Sequence, residues 1–461
     1  MTRKPDLPPP PYHGLDPERS FDRLTEPVGT SRFAQAAARA AHGRTDLAKR
    51  GYAPDGTKRL RRFSTWEICR YMIPVAPAHF RRVLKSNPDL PQGEGSGGTR
   101  WFTLDEIVAL RDHFDSEGSK AKQYKPWRPD GVQAKVVAVA NFKGGVGKTS
   151  TAAHLAMAAA LDGYRVLVID LDSQGSMTSI LGGDVPDEWS TVFPLLAKDY
   201  ASHVSQRNHV REAEGLAPLP LDETMTAALD VTAKDVVQTT HWPNIDLIGA
   251  QLNLYWAEFQ IPVWRMTARD WPLWDALPNF LEAEGLLDAY DIVLLDTPPA
   301  LGYLTINALS AADILLVPLG ASFLEFDSTG RFFDMLHATF ASIEEGDNAV
   351  RRTAGLPEQR FEWDAVRTVL TRYDAGQQAD LANVVQAYFG DMMAPHRQEF
   401  TALVGQAGER VSGIYEADPR DFNRDTYLRG REAFDRTYAD FKDLLLGCWW
   451  RDEMERNGGG E

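Results

Sequence analysis

The sequence has few cysteines and no long apolar run, and both features narrow its class. Cys69 and Cys448 are its two cysteines. We therefore expect neither a disulfide framework nor a cysteine metal site, and we expect the protein to reside in the reducing cytoplasm. No apolar run approaches the roughly 18 residues of a membrane span, and the polar, proline-rich start is unlike a secretory signal. With 43% hydrophobic and 25% charged residues, the composition is typical of a soluble globular protein.

The chain also lacks an overall positive charge, because its formal net charge is −16. The charge is unevenly distributed. Residues 1–130 contain 23 Lys and Arg and 16 Asp and Glu, a net +7, so the remainder carries −23. A basic front predicts that one face of the N-terminal part contacts a polyanion; the alternative is a basic surface that is only solvated.

A strand, a glycine loop and a helix follow one another near residue 140. The β-forming run Val136–Ala140 leads into Lys143–Thr149, and the alanine-rich Ser150–Leu161 follows. Glycines let the backbone turn its N–H groups inward, and a helix N-terminus adds positive potential, so this order predicts a phosphate-binding loop. Lys148 is predicted to reach the β- and γ-phosphates, and the Thr149 hydroxyl to bind Mg²⁺. A chance glycine-rich turn is the weaker alternative.

The loop contains two lysines, and Phe142 stands where the standard P-loop has glycine. Lys-Gly-Gly-Val-Gly-Lys-Thr resembles the deviant Walker A signature of the ParA/MinD ATPases. In that family the extra lysine, here Lys143, reaches across a nucleotide sandwich dimer to the phosphates of the second subunit. The resemblance implies ATP and Mg²⁺ as ligands and a homodimer as the working form. The predicted nucleotide-binding residues are Lys143, Gly144, Gly145, Val146, Gly147, Lys148, Thr149 and Ser150.

Acidic residues follow two of the predicted strands, where ligands collect in parallel sheets. Asp170 and Asp172 come after the second strand, and Asp296 closes Ile-Val-Leu-Leu. A carboxylate in the position of Asp296 holds Mg²⁺ in the Walker B arrangement. Asp170-Leu-Asp172-Ser-Gln-Gly resembles the ParA motif Asp-x-Asp-Pro-Gln-Gly, with Ser173 replacing proline. The resemblance implies that Asp172 positions the attacking water and that Asp170 lies nearer the metal; two aspartates that only cap a strand are the alternative. The predicted catalytic residues are Lys143, Lys148 and Asp172, and the predicted metal ligands are Thr149, Asp170 and Asp296.

Apolar runs alternate with helical stretches after residue 134, which predicts a mostly parallel sheet with helices on both faces. The fold class is therefore α/β of the P-loop type, preceded by a small winged helix-turn-helix domain. The predicted strands are 135–141, 165–170, 245–249, 291–296, 313–319 and 366–371. The predicted domains are a flexible tail with a possible dimerisation helix (1–50), a DNA-binding domain (51–116), a linker (117–133) and an ATPase domain (134–461) with an insertion of helices and loops at 184–240.

The DNA-binding prediction rests on residues 60–115. Ser64–Glu67 and Thr103–Glu106 have capping-box spacing and should start helices. Pro77 suits the first position of a helix between them. Gly97-Gly98 predicts a tight hairpin before the last helix. The order Phe-Ser-x-x-Glu-Ile, Phe-Arg-Arg, Gly-Gly-x-Arg-x-Phe-Thr resembles the MerR-like domain of RepA and long ParA proteins, although the turn has prolines where glycine is expected. The resemblance implies a helix in the major groove. A helical spacer that supports dimerisation is the alternative. The predicted DNA contacts are Arg81, Arg82, Lys85 and Arg100.

Together these features predict a cytoplasmic, nucleoid-associated partition ATPase of the ParA/RepA kind. It would dimerise on DNA with ATP, hydrolyse ATP when a ParB-like centromere-binding protein stimulates it, and repress its own operon. A nucleotide-gated repressor stays open as an alternative. A MinD-like positioning ATPase fits less well, because Arg431–Arg456 has five basic and seven acidic residues and suits an anionic bilayer poorly; we therefore expect no membrane partner.

Overall fold

The computed structural model describes residues 33–40, 43, 58–95, 100–117, 123–353, 358, 360–409 and 411–458. The chain divides into two compact units, Met1–Asp55 and Gly56–Glu461. In the first unit residues 33–40 are helical, inside the stretch predicted to hold a dimerisation helix. The proline-rich tail predicted at 1–30 and the hairpin predicted at Gly97-Gly98 lie outside the described residues. None of the helices in the described ranges is both long and apolar enough to cross a bilayer.

Residues 58–117 form three helices and a short antiparallel ribbon. The elements are β1 (Phe63–Ser64), α1 (Thr65–Glu67), which continues as a π-helical turn over Ile68–Met72, α2 (Pro77–Ser86), β2 (Trp101–Phe102) and α3 (Leu104–Glu117). Both capping boxes form: Ser64 and Glu67 exchange hydrogen bonds, and so do Thr103 and Glu106. The sequence predicts helix, turn, helix, hairpin, helix; the helices are present, the predicted hairpin lies outside the described residues, and the winged helix-turn-helix domain stays a prediction.

A seven-stranded sheet forms the centre of the rest of the chain. Its strand order is β5-β6-β4-β7-β3-β8-β9, and every neighbouring pair is parallel except the edge pair of β5 and β6. The mostly parallel sheet confirms the predicted fold class. Each of the six predicted strands is present with ends that agree to within two residues. The strands are β3 (Lys135–Val139), β4 (Val166–Asp170), β5 (Gln238–Thr239), β6 (Ile245–Ile248), β7 (Ile292–Asp296), β8 (Ile314–Gly320) and β9 (Ala365–Thr371).

Helices cover both faces of this sheet, and the predicted insertion at 184–240 contributes α6 to α8 and the edge strand β5. The helices are α4 (Lys148–Asp162), α5 (Ser176–Leu181), α6 (Phe193–Ala213), α7 (Glu223–Ala228), α8 (Ala233–Val236), α9 (Ala257–Thr267), α10 (Ala276–Ala283), α11 (Leu286–Ala289), α12 (Tyr303–Ala311), α13 (Phe323–Thr353), α14 (Ala375–Phe389), α15 (Ala402–Glu409) and α16 (Arg424–Gly458).

The central strands β3, β4, β7 and β8 are buried along their whole length, which explains their continuous apolar sequence. Along β3, Val137 and Val139 belong to a core with α4 and α16. Val136 and Ala138 belong to a second core with α6, α9, α10, α12 and α13. Because successive side chains point to opposite faces, one five-residue strand serves both cores.

Residues 58–117, called the N-terminal segment below, share the first of these cores. Phe80 stacks on Phe114 with ring centroids 5.6 Å apart, and this aromatic cluster continues into the apolar side chains of α4 and α16. The buried Arg111 joins the two parts, since its Nη2 donates to the carbonyls of Met72 (3.1 Å) and Leu161 (2.6 Å). The domain boundary near residue 117 therefore stays a prediction, although the segments on either side of it form one compact unit.

The end of α4 offers a test of this packing. Gly163 caps the helix with φ 104°, and a Cβ there would lie 2.4 Å from Arg111 Nη1. Gly163→Ala should lower the free energy of unfolding by about 2–3 kcal/mol, since a left-handed backbone and a steric conflict add together. Gly285→Ala is the matched control: its φ is 67° and no atom lies within 4 Å of a Cβ, so about 1 kcal/mol is expected. Urea denaturation followed by circular dichroism measures both; equal losses would contradict the packing of Arg111.

Candidate nucleotide-binding site

The loop between β3 and α4 presents its backbone to open space. Gly145 and Gly147 adopt left-handed conformations, with φ 78° and 90°, and a Cβ at Gly144 or Gly145 would meet no atom within 4 Å. Within the described part of the chain, the N–H groups of residues 144–147 donate no hydrogen bond to another protein group. Unpaired N–H groups beside a helix N-terminus form an anion site. The loop has the geometry of a phosphate cradle.

Lys148 lies at the start of α4 with its side chain folded against the loop. Its Nζ donates to the carbonyl of Lys143 (3.2 Å), and the residue is buried. Burial lowers the pKa of this ammonium group, while the charges of Asp296 and Asp172 oppose that shift. A phosphate would offer the ammonium group the anionic partner that the carbonyl does not. Lys143 itself is half-buried at the entrance of the loop.

Asp170 and Asp296 lie side by side at the ends of adjacent strands. They are register partners in the pair of β4 and β7, and both are fully buried. Neither oxygen of Asp296 accepts a hydrogen bond from any residue that the structure describes. Burial, and then the charge of Asp170, raises the pKa of Asp296 well above its usual range, against the neighbouring Thr149 and Lys148. An unpaired buried carboxylate beside a threonine hydroxyl is a fitting environment for a hydrated divalent cation.

Asp170 differs from its neighbour because its acceptors are occupied. Its carboxylate accepts from Thr178 N (2.9 Å), Thr178 Oγ1 (2.7 Å) and Asp172 N (3.1 Å). Burial nevertheless raises its pKa to about 6, with these hydrogen bonds opposing the shift. The geometry favours Asp170 as the residue that orients the loop and α5, and its predicted role near the metal stays a prediction. Asp172 is partly exposed, and its Oδ1 accepts from Gln174 N (3.0 Å).

Two residues at the end of β9 hold the phosphate loop from the opposite side, a role that the sequence did not suggest. Thr371 Oγ1 donates to the carbonyl of Val146 (2.7 Å), and Arg372 Nη1 donates to the carbonyl of Gly145 (2.8 Å). Arg372 has φ 53°, which a non-glycine residue adopts at some cost when its surroundings require it. The chain separation exceeds 220 residues, so no local pattern could reveal the contact.

Comparison with known proteins places this loop in a family. A family model described as an AAA domain matches residues 134–339. The chain is 31% identical over 414 residues to a protein named replication protein A from Sinorhizobium fredii, covering 88% of this chain and 91% of that protein. It is 32% identical over 259 residues to the chromosome partitioning protein ParA of Caulobacter vibrioides, covering 56% of this chain and 77% of that protein. The chain belongs to the ParA family of partition ATPases.

The solved structures agree at the level of the fold. A structure described as a partition protein matches 86% of this chain and 99% of its own, with a TM-score of 0.51 and 18% identity. That match covers more of this ParA-family chain than the AAA model does. The family membership confirms the resemblance to ParA proteins that the two-lysine loop indicated. It also makes the chain a P-loop nucleoside triphosphatase.

The predicted DNA-contacting residues lie on the N-terminal segment, on α2 and beside β2. Arg81, Arg82 and Lys85 are exposed on α2, with Arg82 Nη2 2.9 Å from His79 Nδ1. Arg100 is exposed beside β2, where its Nη1 donates to the carbonyl (3.0 Å) and the side-chain Oε1 (2.8 Å) of Gln92. The three α2 residues share one short helix, and their contact with DNA stays a prediction.

His154 ties the phosphate-loop helix to the C-terminal part of the chain. Its Nδ1 lies 2.6 Å from the carbonyl of Ser150 and its Nε2 3.0 Å from the N–H of Ile414. These partners assign the proton to Nδ1, because Nε2 must accept. Burial lowers the pKa of His154 to about 4, so the imidazole is neutral at physiological pH and acts structurally.

The depressed pKa of His154 predicts a pH dependence of stability. Between about pH 6.5 and pH 4 the unfolded chain binds a proton that the folded chain excludes, so stability falls as the pH falls. From pH 7.5 to 5.5 this group should cost about 1.4 kcal/mol. His154→Gln keeps an acceptor for Ile414 and does not titrate. Urea denaturation at both pH values gives the free energy of unfolding of wild type and of His154→Gln. The contribution of the buried carboxylates is common to both proteins and cancels in the difference between them. An equal change with pH in the two proteins would be inconsistent with a buried neutral imidazole.

Proposed function

We propose that this ParA-family chain binds ATP with Mg²⁺, closes as a dimer on DNA and drives the partition of a plasmid or chromosome. The observation that carries the proposal is the two-lysine loop and the neighbouring buried carboxylate of Asp296: within the described residues, neither the N–H groups of 144–147 nor the Asp296 oxygens have a hydrogen-bond partner. The names of its relatives support the process, since the Caulobacter protein is a chromosome partitioning protein.

Each group at the loop has a defined task in this proposal. The N–H groups of residues 144–147 hold the phosphates, and Lys148 exchanges the carbonyl of Lys143 for the β- and γ-phosphates. Thr149 and Asp296 would hold Mg²⁺, which neutralises charge on the phosphates when bound. Asp172 is partly exposed and positions the attacking water. Phosphoryl transfer needs mainly positioning and charge neutralisation, so this set is sufficient.

Lys143 links hydrolysis to dimerisation. Because Lys148 already serves the phosphates within one chain, the half-buried Lys143 at the loop entrance is free to reach the phosphates of a second copy. A dimer would then close only when nucleotide is present in the loop. A ParB-like centromere-binding protein would stimulate hydrolysis and reopen the dimer.

The N-terminal segment would add operator binding to this cycle. Its exposed α2 carries Arg81, Arg82 and Lys85, and it precedes an antiparallel ribbon with Arg100 beside it. A helix with basic residues and an adjoining ribbon suits a major groove and the flanking phosphates. Operator binding would repress expression of the protein, which would be cytoplasmic and associated with the nucleoid.

Binding to a random-sequence duplex tests the central proposal. We expect tight binding with ATP and Mg²⁺, and binding at least roughly tenfold weaker with ADP or without nucleotide, falling steeply with salt because phosphate contacts release counterions. Lys143→Ala should keep nucleotide affinity and lose the ATP-dependent binding, whereas Lys148→Ala should lose both. Fluorescence anisotropy of labelled DNA and of a labelled ATP analogue measures the two properties. Binding that ignores nucleotide and is confined to one operator would favour the repressor.

Operator binding has its own test. Replacing both Arg81 and Arg82 by Ala should weaken operator binding at least roughly tenfold through lost phosphate and base contacts, and leave DNA-independent ATPase activity unchanged. The double variant Arg331→Ala and Arg436→Ala removes the same charge from helix surfaces where each arginine pairs with a carboxylate, and it should bind the operator normally. If the ATPase activity fell together with operator binding, the two would not be separable functions.

A further inference from the structure

An apolar stripe is exposed along α9 and the turn that precedes it. Its members are large hydrophobic side chains with exposed fractions between 52% and 79%. We define them as the α9 stripe: Leu252, Tyr255, Trp256, Phe259, Val263 and Met266. We propose that the α9 stripe is the apolar centre of the contact between two copies of this chain in the ATP-bound dimer.

The stripe is a continuous surface. The Phe259 ring lies 5.3 Å from that of Tyr255 and 5.7 Å from that of Trp256, centroid to centroid. Val263 and Met266 follow Phe259 at four and seven residues, so they continue the same face of the helix. Soluble monomers rarely leave large contiguous apolar patches uncovered, and those that do usually bind something there.

The opposite face of α9 is already satisfied by the core of its own chain. Ala257, Ile261 and Trp264 are buried among the side chains of the second core. A helix that is apolar on both faces is typical of a buried helix. The exposed apolar face of α9 is therefore available for a contact outside its own chain.

The stripe borders the carboxyl ends of the sheet strands, where the nucleotide loop lies; we call this side of the sheet the nucleotide edge. Glu258, on α9, accepts from the N–H groups of Tyr303 (2.9 Å) and Leu304 (3.1 Å), which begin α12 after the loop that follows Asp296. The hydroxyl of Thr178 donates to Asp170 and accepts from Ala250 N (2.8 Å), two residues before Leu252. A second copy that covers the nucleotide edge would therefore also cover the stripe.

The charge of the chain requires that a contact between two copies be apolar. Each chain carries a net −16, so two copies repel one another at long range, and a stable dimer needs an attraction that carries no charge. A specific interface buries about 800 Å² per partner, and interface centres are rich in Tyr, Trp, Phe and Met and poor in charge. The stripe has this composition. A bilayer would instead select a strongly basic helix, and α9 has one basic residue, Arg265, with Glu258.

The inference rests on the ATP-dependent dimer proposed above and is tested by burial of the stripe. Met266→Cys introduces an exposed thiol, whereas the two native cysteines are buried, so a polarity-sensitive dye attaches selectively. With a non-hydrolysable ATP analogue and Mg²⁺, the emission should shift to shorter wavelength, more strongly at higher protein concentration, and Lys143→Ala should abolish the shift. A shift that is independent of protein concentration, or one produced by phosphatidylserine vesicles without nucleotide, would overturn the inference.

A second pair of variants separates this inference from the proposed function. Phe259→Asp should weaken the nucleotide-dependent dimer at least tenfold in sedimentation velocity. Val210→Asp, at a residue of α6 with a comparable exposed fraction of 53%, should leave it unchanged. A normal dimer of Phe259→Asp would overturn the role of the stripe and leave the proposed function intact. Wild-type protein that stays monomeric with nucleotide would overturn the dimer itself.

Discussion

The parallel register of β4 and β7 imposes one demand on which the site depends: it buries two carboxylates side by side. Asp170 and Asp296 are register partners, and both have raised pKa values because they are buried. Burying unpaired charge is costly. The fold reduces the cost at Asp170 with three hydrogen bonds, whereas none of the residues that the structure describes gives one to Asp296. A cation bound at Asp296 would offset this cost, so ligand binding should also stabilise the fold.

Three side chains connect the region of the two carboxylates and the phosphate loop to neighbouring elements. Thr178 joins Asp170 to the backbone of Ala250, Glu258 joins α9 to the start of α12, and Thr371 joins β9 to the phosphate loop. Each contact crosses between elements, and each has one end within a few residues of the nucleotide edge. In the proposed dimer, this edge would serve both nucleotide binding and assembly.

Local chemistry explains how much of this was predictable. The strands were predicted to within two residues because β-branched and leucine runs are long and continuous, and both capping boxes formed because they depend on residues three apart. The phosphate loop and Asp296 were each predicted from a short motif that lies within a single stretch of chain. The edge strand β5 was missed because its two residues carry no apolar pattern, and the π-helical turn at Ile68–Met72 was missed because spacing does not distinguish it from α-helix. The contacts of Thr371 and Arg372 with the loop, and the three hydrogen bonds of Asp170, depend on chain folding and have no local signature.

The core that the N-terminal segment shares with α4 and α16 restricts how this chain can be divided. Residues 117–133 are predicted to be a linker, yet within them the carbonyl of Trp127 accepts a hydrogen bond from the hydroxyl of Tyr164, and the carbonyl of Gln133 accepts one from the indole of Trp449. Arg111 has two carbonyl partners, one on each side of that stretch. Cutting the gene between the two segments would divide this core and leave Phe80 and Phe114 on one fragment and Trp449 on the other without part of their apolar surroundings. Residues 58–117 thus share one apolar core with α4 and α16 in the described part of the chain, so the two predicted domains cannot be separated without dividing that core.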